Sequence, residues 1–130
     1  MSHKVITFGT FDVFHVGHLR LLERAREHGD YLVVGVSTDE LNVLKKGRPP
    51  VYPQEERKEI IAALKFVDEV FYEESLELKG EYIQQNGADI LVMGDDWEGK
   101  FDYFHAQCKV IYLSRTPAIS TTQVIEKIRY

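Results

Sequence analysis

The chain has little of what builds a covalent or fibrous scaffold. Its single cysteine, Cys108, has no partner for an internal disulfide, which excludes a disulfide-stapled fold. Of four prolines, three crowd into the stretch from Pro49 to Pro53, so proline can punctuate one segment but cannot form a stiff linker. No apolar run approaches the ~20 residues of a membrane-spanning helix. Positive charge is also scarce. Sixteen Lys and Arg face 21 Asp and Glu, a net charge of -5, which argues against a broad basic surface for nucleic acid and leaves room only for a local cationic pocket. The opening "MSHKVITF" lacks the apolar core of a secretory signal. Together these absences predict a cytoplasmic protein that engages neither nucleic acid nor membrane.

What is present suits one domain over residues 1–130: 44% hydrophobic and 12% aromatic residues give enough apolar mass for a core. Short β-branched runs alternate with amphipathic stretches. "KVITFG" precedes a helix from Val16 to His28, "YLVVGVS" and a long loop precede a helix from Pro53 to Leu64, and "FVDEVFY" precedes a helix near Leu78 to Gln85. "DILVMG", a short helix or turn after Trp97, "KVIYL" and a helix from about Thr121 complete the pattern. Five near-continuous apolar strands linked by crossovers predict an α/β, Rossmann-like, doubly wound parallel sheet with helices on both faces. Asp39 to Tyr52, with "KKGRPPVY", is expected to be irregular because Gly47, Pro49 and Pro50 oppose helix and central strand.

In such a sheet ligands bind beyond the carboxyl ends of the strands, and those positions here are polar: "GTFDVFH", "STDE", "GDDWEGK" and "SRTPAISTT". The stretch "GTFDVFHVGH" puts His15 and His18 at a predicted helix start, where free N–H groups and the helix dipole favour an anion. Two imidazoles three residues apart share a face and add directed donors. Gly9 and Gly17 leave room for the turn and for a ligand. Ser120 and Gln123 have capping-box spacing, and with Thr121 and Thr122 they make a second anion-favouring helix start beside Arg115. Lys45, Lys46, Arg48 and Arg57 are the other cations near predicted loops. Gly94, Asp95, Asp96 and Trp97 offer acceptors and an aromatic plate for a base or ribose. Plain readings coexist with these: histidines that only cap a helix, solvated lysines, or a zinc-type site of Asp12, His15, His18 and Asp95 or Asp96.

Taken together, "GTFDVFHVGH", "STDELN", "GDDWEGKFD" and "RTPAISTT" resemble the glycerol-3-phosphate cytidylyltransferases within the cytidylyltransferase-like nucleotidyltransferases, across nearly the whole chain. "HVGH" resembles the family's HxGH signature, and "RTPAISTT" its RTxGISTT signature with Pro117 and Ala118 departing from the pattern. The resemblance implies cytidylyl transfer from CTP to sn-glycerol 3-phosphate, giving CDP-glycerol and pyrophosphate for teichoic acid or capsule polymers. It implies Mg²⁺ travelling with the triphosphate, no dedicated protein metal site, and a homodimer. It also implies His15, His18, Lys46 and Arg115 as catalytic. Thr10, Phe11, Lys45, Gly94, Asp96, Trp97, Thr116, Ser120 and Thr121 would bind nucleotide, and Asp12, Asp39, Arg57 and Lys79 the acceptor. The alternatives are an adenylyl- or cytidylyltransferase for another phosphorylated polyol or sugar, and a non-catalytic nucleotide- or metal-binding regulatory domain.

Overall fold

The computed structural model describes residues 3–114 and 120–129. Five strands, β1 (Lys4–Gly9), β2 (Tyr31–Ser37), β3 (Glu69–Glu73), β4 (Ile90–Gly94) and β5 (Lys109–Leu113), form one wholly parallel sheet in the order β3-β2-β1-β4-β5. The helices are α1 (Val16–Arg26), α2 (Asp39–Lys46), α3 (Gln54–Ala62), α4 (Lys79–Gln85) and α5 (Thr121–Ile128). The expected Rossmann-like sheet is therefore present. Its order reverses between β1 and β4, so the two central strands end at the switch point where this architecture opens a crevice.

Alternation along each buried strand supplies two apolar layers. Val5, Leu32, Val34, Val36 and Val92 face Leu22 and Ala25 of α1 and Ile61 of α3. Ile6, Val33, Leu91 and Met93 face Ile83 of α4 together with Phe101 and Phe104 from the 3₁₀ turns before β5. Because both faces are covered, the strands read as continuous apolar runs, and polar function is displaced to their ends.

One expectation is overturned. Asp39 to Tyr52 is not irregular: residues Asp39–Lys46 form α2, whose N-cap Thr38 accepts the Leu41 N–H through its hydroxyl at 3.1 Å. Gly47, at φ 77°, supplies the left-handed cap that ends the helix. Gly47, Pro49 and Pro50 stop a helix here; they do not prevent one. Lys45 and Lys46 consequently sit on the last helical turn of α2, and only residues 47–53 bridge to α3. Gly29, just after α1, makes room for the chain: a Cβ there would lie 2.3 Å from the His3 carbonyl oxygen. The helix itself closes at Glu27 in right-handed conformation.

Candidate active site

The turn from β1 to α1 folds by a cap made of the two histidines. His15 is the N-cap, and its Nδ1 accepts the Gly17 N–H at 3.0 Å. His18 Nδ1 in turn accepts the His15 N–H at 3.3 Å, so each ring satisfies a backbone donor that the helix start leaves open. The rings stack at 3.8 Å with 24° between their planes. With both Nδ1 atoms accepting, the mobile proton of each neutral ring lies on Nε2, and both rings present N–H donors away from the cap. Burial, reinforced by the neighbouring His15, lowers the His18 pKa to about 3. Burial lowers that of His15 as well. The pair is thus set as neutral donors, the form suited to an anion that must later leave.

Strain supports this turn. Phe11 and Val13 hold φ of 54° and 48°, a left-handed conformation uncommon for an aromatic and a β-branched residue, at about 1–3 kcal/mol each. The bend drops the Phe11 ring into the core, where it meets His18 edge-on at 5.5 Å. Gly9 is required for that placement: a Cβ would lie 2.8 Å from Phe11 Cζ. Phe11, expected at the nucleotide, thus has its side chain buried against the turn.

The second helix start lies beside the first. Ser120 caps α5, its Oγ accepting the Gln123 N–H at 3.1 Å, which is the serine half of the expected capping box. Thr121 Oγ1 donates to the Asp12 carbonyl at 3.0 Å and lies 3.4 Å from His15 Nε2. Sequence positions 106 apart thus meet at the mouth of the β1–α1 turn. Arg115 and Thr116, expected to complete this side, lie outside the described residues.

A third wall is built from α2, α3 and the end of β2. Thr10 Oγ1 donates to Asn42 Oδ1 at 2.8 Å and lies 3.1 Å from Ser37 Oγ, while Asn42 Nδ2 returns bonds to Ser37 and Thr38. Arg57, wholly buried, donates to the carbonyls of Thr10 (3.0 Å), Ser37 (2.7 Å) and Tyr52 (2.9 Å) and to Asp39 Oδ1 (2.6 Å). Arg57, expected at the acceptor, thus has its guanidinium bonded to three chain segments. Asp39 is likewise engaged, with Arg57 and the Gln54 N–H. Asp12 takes the Val51 and Tyr52 N–H groups at 2.7 and 2.8 Å.

Lys79 is 2% exposed, paired with Glu73 at 2.5 Å and seated 3.8 Å from the centre of the Phe8 ring. It does not face solvent. Burial lowers its pKa, opposed by Glu73. Lys45 is also lowered, first by burial, against which Glu73 acts, and then by the like charges of Lys46, Lys79 and Arg57. Lys45 thus feels Glu73 and three other cations, of which Lys79 is paired with Glu73 and Arg57 with Asp39. Lys46 is exposed. After β4, Gly94 makes space for Asp96, whose Oδ1 would stand 2.8 Å from a Cβ at that glycine, and Trp97 packs 5.5 Å from Phe101 with its face toward Lys100.

Ser37, Asn42 and Glu73 were not evident as site residues from the sequence; their roles depend on which strand ends are neighbours. Both histidine Nδ1 atoms accept backbone N–H groups, and among the described residues no three His, Cys, Asp or Glu side chains converge as the zinc-type set would require.

Known proteins similar to this chain share its family and fold. The sequence profile of the cytidylyltransferase-like family matches residues 6–127. A glycerol-3-phosphate cytidylyltransferase of Bacillus subtilis (strain 168) is 53% identical over 96% of this chain and 96% of its own. An FAD synthase of Pyrococcus abyssi is 34% identical over 96% of this chain and 91% of its own. Among solved structures, a lipopolysaccharide core biosynthesis protein from Thermoplasma volcanium superposes with a TM-score of 0.75 at 26% identity, covering 89% of this chain and 99% of that one.

Proposed function

Because the chain belongs to the cytidylyltransferase-like family, we propose that it transfers a cytidylyl group from CTP to sn-glycerol 3-phosphate, releasing pyrophosphate and forming CDP-glycerol. The observation that carries this reading is the meeting of two helix starts through Thr121, Asp12 and His15, which lets one polyphosphate be gripped from both sides.

The reaction is an in-line displacement. A phosphate oxygen of the acceptor attacks the α-phosphorus, and pyrophosphate leaves opposite to it. The nucleophile is already an anion, so the protein need not remove a proton; it orients two anions and stabilises charge on the phosphoryl oxygens. His15 and His18 donate from Nε2 to those oxygens. Lys46 and Arg115, with Ser120 and the backbone N–H groups at the start of α5, bind the leaving phosphates, and Thr116 and Thr121 add hydroxyls. Asp96, Trp97 and Gly94 border the nucleoside, while Thr10 aligns the turn beneath it. The acceptor phosphate is drawn to the cations around Lys45, with Lys79 and Asp39 on the wall behind.

Mg²⁺ would be held by the triphosphate itself. We further propose a cytoplasmic homodimer that acts on small molecules, engages neither nucleic acid nor membrane, and supplies a glycerol-phosphate polymer. The test is pyrophosphate release with four nucleoside triphosphates crossed against phosphorylated acceptors, flavin mononucleotide included. Turnover with CTP and glycerol 3-phosphate is expected; turnover only with ATP, or binding without product, overturns the reading.

A further inference from the structure

Asp12 carries more of the site's architecture than its place in the sequence suggests. Its Oδ1 accepts the N–H of Tyr52 at 2.8 Å and of Val13 at 3.1 Å, and its Oδ2 accepts the N–H of Val51 at 2.7 Å. Its own carbonyl accepts the Thr121 hydroxyl. One residue therefore joins the β1–α1 turn, the 47–53 bridge and the start of α5. The Tyr52 peptide is held twice over, because its carbonyl accepts from Arg57 Nε, and Arg57 also bonds the Thr10 carbonyl two residues before Asp12. The left-handed residues on either side, Phe11 and Val13, turn the chain about this aspartate.

A free carboxylate beside a polyphosphate would repel it, whereas three N–H donors already occupy this one. The bridge it anchors leads directly back through Arg48 to Lys46 and Lys45 at the end of α2. We propose that Asp12 is a positioning residue, a clasp that fixes the cationic stretch Lys45–Arg48 relative to His15 and His18 without itself touching substrate. This replaces its assignment to the acceptor, and its kinetic part rests on the nucleotidyl-transfer reading above.

The test compares the full chain with Asp12→Asn, in which one oxygen becomes an amide donor facing N–H groups. Hydrogen exchange at the Val51 and Tyr52 amides is expected to accelerate at least tenfold, and tryptic cleavage after Lys46 at least fivefold, with β1 and β2 amides unchanged. In the transfer assay, kcat/KM for CTP should fall at least tenfold. Adding Lys46→Ala to Asp12→Asn should then cost less than twofold more, although Lys46→Ala alone costs at least fivefold. Unchanged exchange at residues 51 and 52, or full additivity of the two substitutions, overturns the clasp. Should Asp12→Asn fail to fold, Val51→Pro removes one donor from the exposed side of the contact; with no amide left at 51, faster exchange is expected at Tyr52 alone, and the cleavage and kinetic expectations are the same. If the parent protein turns over no nucleotide, the transfer reading falls while the exchange measurement still decides the contact.

Discussion

His18 shows how one side chain can serve structure and chemistry through different atoms. Its Nδ1 closes the helix cap, and in the transfer reaction we propose its Nε2–H is the donor to the phosphoryl group. His18→Ala loses both, in unequal measure. The missing cap should cost about 1 kcal/mol of stability, and the missing donor should cut turnover roughly 10²–10³-fold; urea unfolding beside a pyrophosphate-release assay measures the two. Protonation gives a second expectation. The folded ring gains a proton only near pH 3, whereas an unfolded histidine does so near 6.5. Between those values the unfolded chain binds more protons, so the stability due to this burial is complete above pH 6.5 and is lost as the pH falls toward 3. Unfolding midpoints taken from pH 7.5 down to 4 should decline more steeply for the parent than for His18→Ala. Parallel curves would mean that His18 is not held neutral.

Among the elements, the β1–α1 connection is the one whose packing most narrowly limits the site. Gly9→Ala would place a methyl against a Phe11 ring that is buried and in contact with His18. Overpacking of this kind costs about 1–3 kcal/mol, and the displaced ring would move His18 with it. Thermal unfolding should show the modest loss, and turnover a fall larger than that loss explains. The element scale also separates what could be read in the sequence from what could not. β5 and the start of α5 coincide with "KVIYL" and Thr121 because apolar runs and capping spacings are local signals. The double histidine cap was readable for the same reason. α2 was not, since Gly47 and two prolines dominate the composition of a stretch they merely terminate. The burial of Phe11 was hidden too, because nothing in a sequence marks an aromatic residue held at positive φ. Arg57, Lys79 and Asp12 were recognisable as charged residues of interest, but their partners Thr10, Glu73 and Val51 come from other segments, and strand order alone brings those together.

For the whole molecule, the decisive question is what holds α5. None of its described residues is buried, and Val124 and Ile125 are only half covered, while β1, β2 and β4 are almost entirely enclosed. Its attachments to the β1–α1 turn include Thr121 on Asp12 and His15, the place where both helix dipoles point their positive ends. Without an anion those two ends repel; a triphosphate between them turns repulsion into a shared attraction. CTP should therefore stabilise the protein unevenly. At a hundredfold excess over Kd the global gain is about 2.7 kcal/mol, which for a chain of this size is about 10 °C in Tm. Locally, amide exchange across Thr121–Ile128 should slow at least tenfold, well beyond any change in α4, whose Ile83 is already anchored in the opposite core layer. The same measurement with His15→Ala separates bridging from simple binding. If the histidine cap is one half of the grip, its loss should abolish most of the protection at α5 even at CTP concentrations that restore saturation. Equal protection with and without His15 would show that α5 binds the phosphates alone.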